Sequence, residues 1–175
     1  MKNAYVITGG PGSGKTSLIK SIQKSGLICN EEFSRKVIAE QEKLGTEALP
    51  WKNKYAFHDI VLGKMLDQYE KLPEDEACFL DRGIPDLIAY FEAGGFHVPD
   101  KYYEAACEHP YGDKVFLLPP WKDIYRTDEQ RKETFDRSVR IHEFLDEVYS
   151  CLDYEVVEVP KFSVKERRDF VLDMI

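Results

Sequence analysis

The chain has no apolar run that approaches the roughly 20 residues of a membrane span. Its first apolar stretch, Tyr5-Val6-Ile7, stops at two glycines one residue later, where a secretory leader would need a longer core. Its four cysteines, Cys29, Cys78, Cys107 and Cys151, lie far apart with no Cys-x-x-Cys pair, which argues against a disulfide framework or a thiolate zinc site. Cys29 and Cys78 fall inside apolar runs and read as reduced core residues. His58, His97, His109 and His142 are scattered and form no metal-ligand spacing. His142 falls in the apolar phase of its segment and reads as a satisfied core residue. Positive charge is scarce: 24 Lys and Arg against 32 Asp and Glu, a net charge of −8. A broad nucleic-acid footprint needs a basic face and is disfavoured. A small anion is still allowed, because a few close donors outweigh global charge at short range. Repeats and low-complexity tracts are missing as well. The expectation is a soluble, cytoplasmic protein whose 175 residues form one domain, 1–175.

What is present alternates between two periods. Short apolar runs of strand length occur at Ala4 to Thr8, Leu27 to Cys29, Ala77 to Leu80, Lys114 to Leu118 and Tyr154 to Val159. Between them lie segments of helical period: Lys15 to about Lys24, Phe33 to Lys43, Lys54 to Tyr69, Pro85 to Ala93, Pro99 to Cys107, about Asp128 to Leu152, and Val164 to Leu172. Gly26 and Gly94-Gly95 punctuate helix ends. Five strands alternating with helices predict an α/β fold with a parallel sheet covered on both faces. Ligands of such sheets bind beyond the carboxyl ends of the strands, and each chemical motif below falls at such an end.

The most specific motif is Gly9-Gly10-Pro11-Gly12-Ser13-Gly14-Lys15-Thr16, a phosphate-binding loop of Walker A pattern between the first strand and a helix. Its glycines allow backbone torsions that let the chain wrap an anion. The loop amides and the helix start, through Ser17, aim donors at phosphate oxygens. Lys15 can reach the β- and γ-phosphates, and the Thr16 hydroxyl can ligate magnesium. Asp81-Arg82-Gly83 closes the third strand. Asp81 there could hold magnesium, directly or through water, or orient a nucleophile, and Arg82 could bind an oxygen of the transferred phosphoryl group. The plainer alternative is a strand end with Arg82 in a surface ion pair. After the second strand, Glu32 could hold an acceptor hydroxyl, with Glu31 as an alternative. Glu32 and Arg35 have the spacing of one helical face, so an ordinary salt bridge also fits. Arg126 and Arg131 lie on a polar segment after Pro119-Pro120 and could close over the phosphates as a lid, about 119–133. A solvated helix start is the alternative. Trp51, Tyr55 or Phe57 could stack on an acceptor ring, though core packing suits any one of them better. Trp121 could lie against a nucleotide base.

Taken in order, Ile7-Thr8-Gly9-Gly10-Pro11-Gly12-Ser13-Gly14-Lys15-Thr16, Glu32-x-x-Arg35-Lys36-Val37-Ile38, Asp81-Arg82-Gly83-Ile84-Pro85-Asp86, Val115-Phe116-Leu117-Leu118-Pro119-Pro120-Trp121 and Arg126-Thr127-Asp128-Glu129-Gln130-Arg131 resemble the NadR-like AAA ATPase domain family. The resemblance runs from about Tyr5 to Leu172. It implies a three-layer P-loop NTPase fold of the nucleoside or nucleotide kinase kind, with sheet order 2-3-1-4-5. It also implies roles: the loop with Lys15 and Thr16 for the donor, Glu32 for the acceptor, Asp81 and Arg82 at the phosphates, Arg126 and Arg131 on the lid, and Val159-Pro160 near adenine.

The leading expectation is an ATP- and magnesium-dependent small-molecule kinase acting on a nucleoside-like acceptor. The alternative is an ATPase or nucleotide-dependent switch acting on a protein partner. No Asn-Lys-x-Asp guanine-reading motif occurs, which favours ATP over GTP.

Overall fold

The computed structural model describes residues 2–30, 32–125 and 134–175. Five strands, β1 (Ala4–Gly9), β2 (Ile28–Asn30), β3 (Cys78–Asp81), β4 (Lys114–Leu118) and β5 (Glu155–Glu158), pair in parallel in the order β2-β3-β1-β4-β5. The expected sheet order is therefore the observed one. The helices among the described residues are α1 (Lys15–Gln23), α2 (Ser34–Leu44), α3 (Lys54–Glu70), α4 (Ile84–Ala93), α5 (Asp100–Glu108), α6 (Phe135–Cys151) and α7 (Val164–Leu172).

Strand side chains alternate between faces, and the core divides accordingly. Val6, Leu80, Val115 and Leu117 point into one cluster with residues of α3, α4, α5 and α6, including Phe57, Ile88, Phe91, Tyr102 and Leu145. Ile7, Phe79, Phe116 and Leu118 point into a second cluster with Leu18, Ile19 and Ile22 of α1 and Val171 of α7. A parallel sheet buried on both faces needs continuous apolar strands, which explains why Val6 and Ile7 are neighbours in sequence and both fully buried. Each large apolar side chain removed from water this way contributes roughly 1.5–3 kcal/mol.

Pairing register puts the functional strand ends at one edge. Gly9 stands opposite Leu118, Ile7 opposite Asp81, and Asn30 opposite Leu80. The phosphate loop and the Asp81-Arg82 turn therefore emerge side by side from adjacent strands. Most element bounds fall within a residue or two of the sequence reading. The exception is α6, expected from about Asp128. Thr134 is extended (φ −78°, ψ 162°) and its side chain accepts a hydrogen bond from Arg137 N, so it caps the helix and a continuous helix from Asp128 is not formed. Among the described residues, no helix is long and apolar enough to cross a membrane.

Candidate functional site

The loop that follows β1 is held by its own lysine. Lys15 is buried, and its Nζ donates to Gly9 O at 2.6 Å and Gly10 O at 3.0 Å, and lies 3.5 Å from Ser13 Oγ. The backbone bends tightly beneath it. Gly12 adopts φ 78°, a left-handed torsion that L side chains avoid, and a Cβ there would lie 2.5 Å from Tyr125 Cδ2. Gly10 is needed for a different reason: a Cβ would meet Ser138 Oγ at 2.5 Å. Ser138, fully buried on α6, donates to Pro11 O at 2.8 Å. The loop is thus tied to α6 on one side and touched by Tyr125 on the other. Thr16 and Ser17 are exposed in the first turn of α1, where the free amides of a helix start favour an anion.

Arg82 stands beside the loop. Its Nε donates to Glu32 Oε1 at 2.9 Å and its Nη1 to Asp86 Oδ1 at 3.0 Å, with Gly9 O at 3.5 Å. The Tyr90 ring lies 5.0 Å from the guanidinium carbon. Glu32 precedes α2 rather than lying on it, and it reaches a residue 50 positions away. The surface ion pair considered for Arg82 is not what forms, since only 10% of its side chain is exposed. Asp81 is buried, and its Oδ1 has no hydrogen-bond partner among the described residues.

The electrostatics follow from that crowding. Burial pushes the Asp81 carboxyl up to about 6; Lys15 and Arg82 pull it back, while Glu32 and Asp86 push it further. Burial, then the Arg82 charge, lowers the Lys15 ammonium to about 8 against the opposing carboxylates. Burial also works against ionised Glu32, but the Arg82 and Lys15 charges and hydrogen bonds from Arg82 and Ser34 outweigh it and hold its pKa below the ordinary value. Two cations and three carboxylates therefore share one sheet edge, and Asp81 is the carboxylate whose charge is least satisfied. Among the described residues, no group of three or more His, Cys, Asp or Glu could hold a metal by itself. A hard cation here would need oxygens from a ligand, with Asp81 and Thr16 supplying protein oxygens.

Other expected residues scatter. Trp121 is half-buried, its Nε1 donates to Asp123 Oδ2 at 3.2 Å, and it stacks with Arg167, whose guanidinium carbon lies 5.7 Å from the ring. Arg167 is 5% exposed, and its Nη1 is the nearest atom that a Cβ on Gly14 would meet, at 2.9 Å. Its Nε has no hydrogen-bond partner among the described residues. The sequence reading missed Arg167, although an arginine three residues after Val164 and four before Val171 sits in the apolar phase of α7, which was a usable signal. It also missed Asp86, whose position at the third residue of α4 after Pro85 marks a capping role. Pro160 lies two residues past the end of β5, and between them Val159 N donates to Leu117 O at 2.9 Å. Phe57 is core, but Trp51 and Tyr55 are exposed. They line a cavity of about 470 Å³ with Lys54 and Phe96 that shares no lining residue with the phosphate loop. Arg126 and Arg131, and the alternative base Glu31, lie outside the described residues. His142 is not the satisfied core residue expected: its Nδ1 is buried without a partner among the described residues, and its Nε2 is 3.6 Å from Glu158 Oε2. Of the cysteines, Cys78 is buried and Cys29 half-buried, whereas Cys107 and Cys151 are exposed.

A family model described as an AAA domain matches residues 4–167. The chain belongs to the AAA domain family. This AAA domain also shares its fold with solved structures, kinases among them. The NadR protein in complex with NAD and AMP-PNP aligns with a TM-score of 0.72 at 15% identity, covering 98% of this chain and 49% of that one. This chain therefore spans about half of that NadR protein, and the expected NadR-like resemblance is borne out. Deoxyadenosine kinase from M. mycoides with bound dATP aligns at TM-score 0.65 and 14% identity, covering 98% of each chain. Thymidylate kinase from Candida albicans aligns at 0.68 and 16% identity, covering 99% of this chain and 91% of that one. At these identities the likeness is one of fold, a nucleoside- or nucleotide-kinase-like P-loop fold. No curated protein matches the chain.

Proposed function

We propose that this chain is a kinase domain that transfers the γ-phosphoryl group of ATP to a nucleoside-like or other small-molecule acceptor. The observation that carries this reading is the convergence on Gly9 O of two buried cations, Lys15 Nζ at 2.6 Å and Arg82 Nη1 at 3.5 Å, beside two carboxylates from neighbouring strand ends. A phosphate loop that only bound nucleotide would not need Arg82 clamped by Glu32 and Asp86. That the structurally similar deoxyadenosine kinase has bound dATP and the NadR protein bound AMP-PNP supports a nucleotide ligand.

In this reading the loop amides and the α1 start bind the triphosphate. Lys15 leaves the Gly9 and Gly10 carbonyls to meet the β- and γ-phosphate oxygens, since its ammonium is otherwise satisfied only by neutral acceptors. Arg82 stabilises charge on the transferred group, and Arg126 and Arg131 close from the lid. Glu32 or Asp81 orients the acceptor. The orphaned Asp81 Oδ1 and the exposed Thr16 hydroxyl are hard oxygen donors that suit magnesium, which would neutralise phosphate charge when bound. Pro160 and Trp121 border the base.

A phosphotransfer screen with ATP and magnesium against ribosylnicotinamide, nucleosides, nucleoside monophosphates and small sugars tests the proposal. Transfer to one of them is expected, and Lys15→Ala should reduce it at least about a hundredfold while keeping the folded far-UV spectrum. Hydrolysis without transfer to any acceptor would favour the ATPase or switch reading. Unchanged turnover in Lys15→Ala would refute the site.

A further inference from the structure

One buried carboxylate beside the loop has no assigned task. Asp86, in the first turn of α4, is 1% exposed. An ionised carboxylate has about four acceptor positions, and four donors meet this one. Oδ1 accepts from Thr8 Oγ1 at 2.6 Å and Arg82 Nη1 at 3.0 Å. Oδ2 accepts from Tyr149 Oη at 2.6 Å and Gly83 N at 3.1 Å. The donors come from β1, the Arg82 turn and α6, so three parts of the fold are pinned to one group. Gly83 leaves the necessary room: a Cβ there would sit 2.8 Å from the Tyr149 hydroxyl.

The residue so held is in an unfavourable state. Arg82 has φ 77°, in the left-handed region. A non-glycine residue there costs of order 1–3 kcal/mol and persists only where its surroundings over-determine it. Burying a guanidinium is costly too unless its hydrogen bonds are made. A helix cap alone would need only the bond to Gly83 N. The remaining three bonds serve to fix the carboxylate rigidly against Arg82. The donors Thr8 and Tyr149 are both fully buried, so water does not compete for Oδ1 and Oδ2.

We propose that Asp86 is the positioning residue of the phosphoryl-transfer site, acting on the reacting phosphate only through Arg82, with Thr8 and Tyr149 fixing Asp86 in turn. The proposal rests on the kinase reading above. Asp86 itself contacts no substrate. It sets where the guanidinium points, and through Tyr149 it joins that direction to α6, the helix that follows the lid and carries Ser138 against the loop. A misaimed charge at the reacting group lowers the rate of the chemical step more than it weakens binding.

The test is a double-mutant cycle in turnover between Asp86→Asn and Arg82→Ala, with ATP and magnesium and the acceptor found by the screen. Asp86→Asn alone should lower kcat about tenfold or more and change the ATP KM less than about threefold. In the Arg82→Ala background the same change should cost nothing further, because the group it acts through is gone. Tyr149→Phe keeps the ring and the Asp86 charge, and should lose about threefold in kcat with the same non-additivity. It also carries the cycle if Asp86→Asn does not fold. Equal losses in both backgrounds, or full turnover in Asp86→Asn, would overturn the positioning role while leaving the kinase reading intact. A folded wild-type chain that neither transfers nor hydrolyses would overturn both.

Discussion

Asp81 carries its charge in a place that resists it. With an ordinary value of 3.8 raised to about 6 by burial, the folded chain keeps a proton between those pH values that the unfolded chain has lost. Stability therefore falls as pH rises from about 4 to about 6, and the loss persists in full above 6. Asp81→Asn should recover up to roughly 3 kcal/mol at neutral pH, seen as a Tm rise of several degrees that vanishes below about pH 4, while turnover falls at least about tenfold. An unchanged Tm across that range would show the carboxylate to be better solvated than its surroundings imply. Asp81 and Lys15 together bound the active range. Below about 6 Asp81 gains a proton, and above about 8 Lys15 loses one, so kcat/KM should follow a bell with limbs near those values. Single-residue chemistry was legible wherever it was local. Gly9 to Thr16 announce their task because eight consecutive residues make the loop. Arg82 announced a cation at a strand end, but not that Glu32, 50 positions back, would hold it, since no local pattern encodes a contact at that separation.

At the scale of elements, the loop, α6 and the stretch that ends at Tyr125 belong together. Ser138 ties the start of α6 to Pro11, and Tyr125 lies against Gly12. Tyr125 and Ser138, which precede and follow residues 126–133 in the chain, therefore both stand against the phosphate loop. Replacing Arg126 or Arg131 by Ala should lower turnover at least about tenfold with a Tm change under about 2 °C. A parallel loss of Tm with normal turnover would make them structural. The strands and most helices were legible because apolar runs and helical phase differ sharply here. The start of α6 was not: Asp128 to Glu133 is rich in helix formers with no breaker, and the stop signal is the single capping residue Thr134. Arg167 shows a related limit. Its phase on α7 marks it as buried, but only the fold reveals that Gly14 and Trp121 are its neighbours.

The whole molecule is acidic, with a net charge of −8, yet it gathers Lys15 and Arg82 at the edge where β1 and β3 end. Local geometry thus overrides the global field, as a site for a compact polyanion requires. The parallel sheet order 2-3-1-4-5 makes this possible by placing β3 next to β1, so that Asp81 and Arg82 emerge beside the loop although some 70 residues separate them in sequence. That order came to the sequence reading from family resemblance. Alternation of strands and helices gives the fold class, but not which strands are neighbours. The direct test is isothermal calorimetry of the wild-type chain with ATP, with and without magnesium. The account predicts saturable one-to-one uptake that depends on magnesium and is lost in Lys15→Ala. Folded protein that takes up no purine triphosphate under either condition would contradict it.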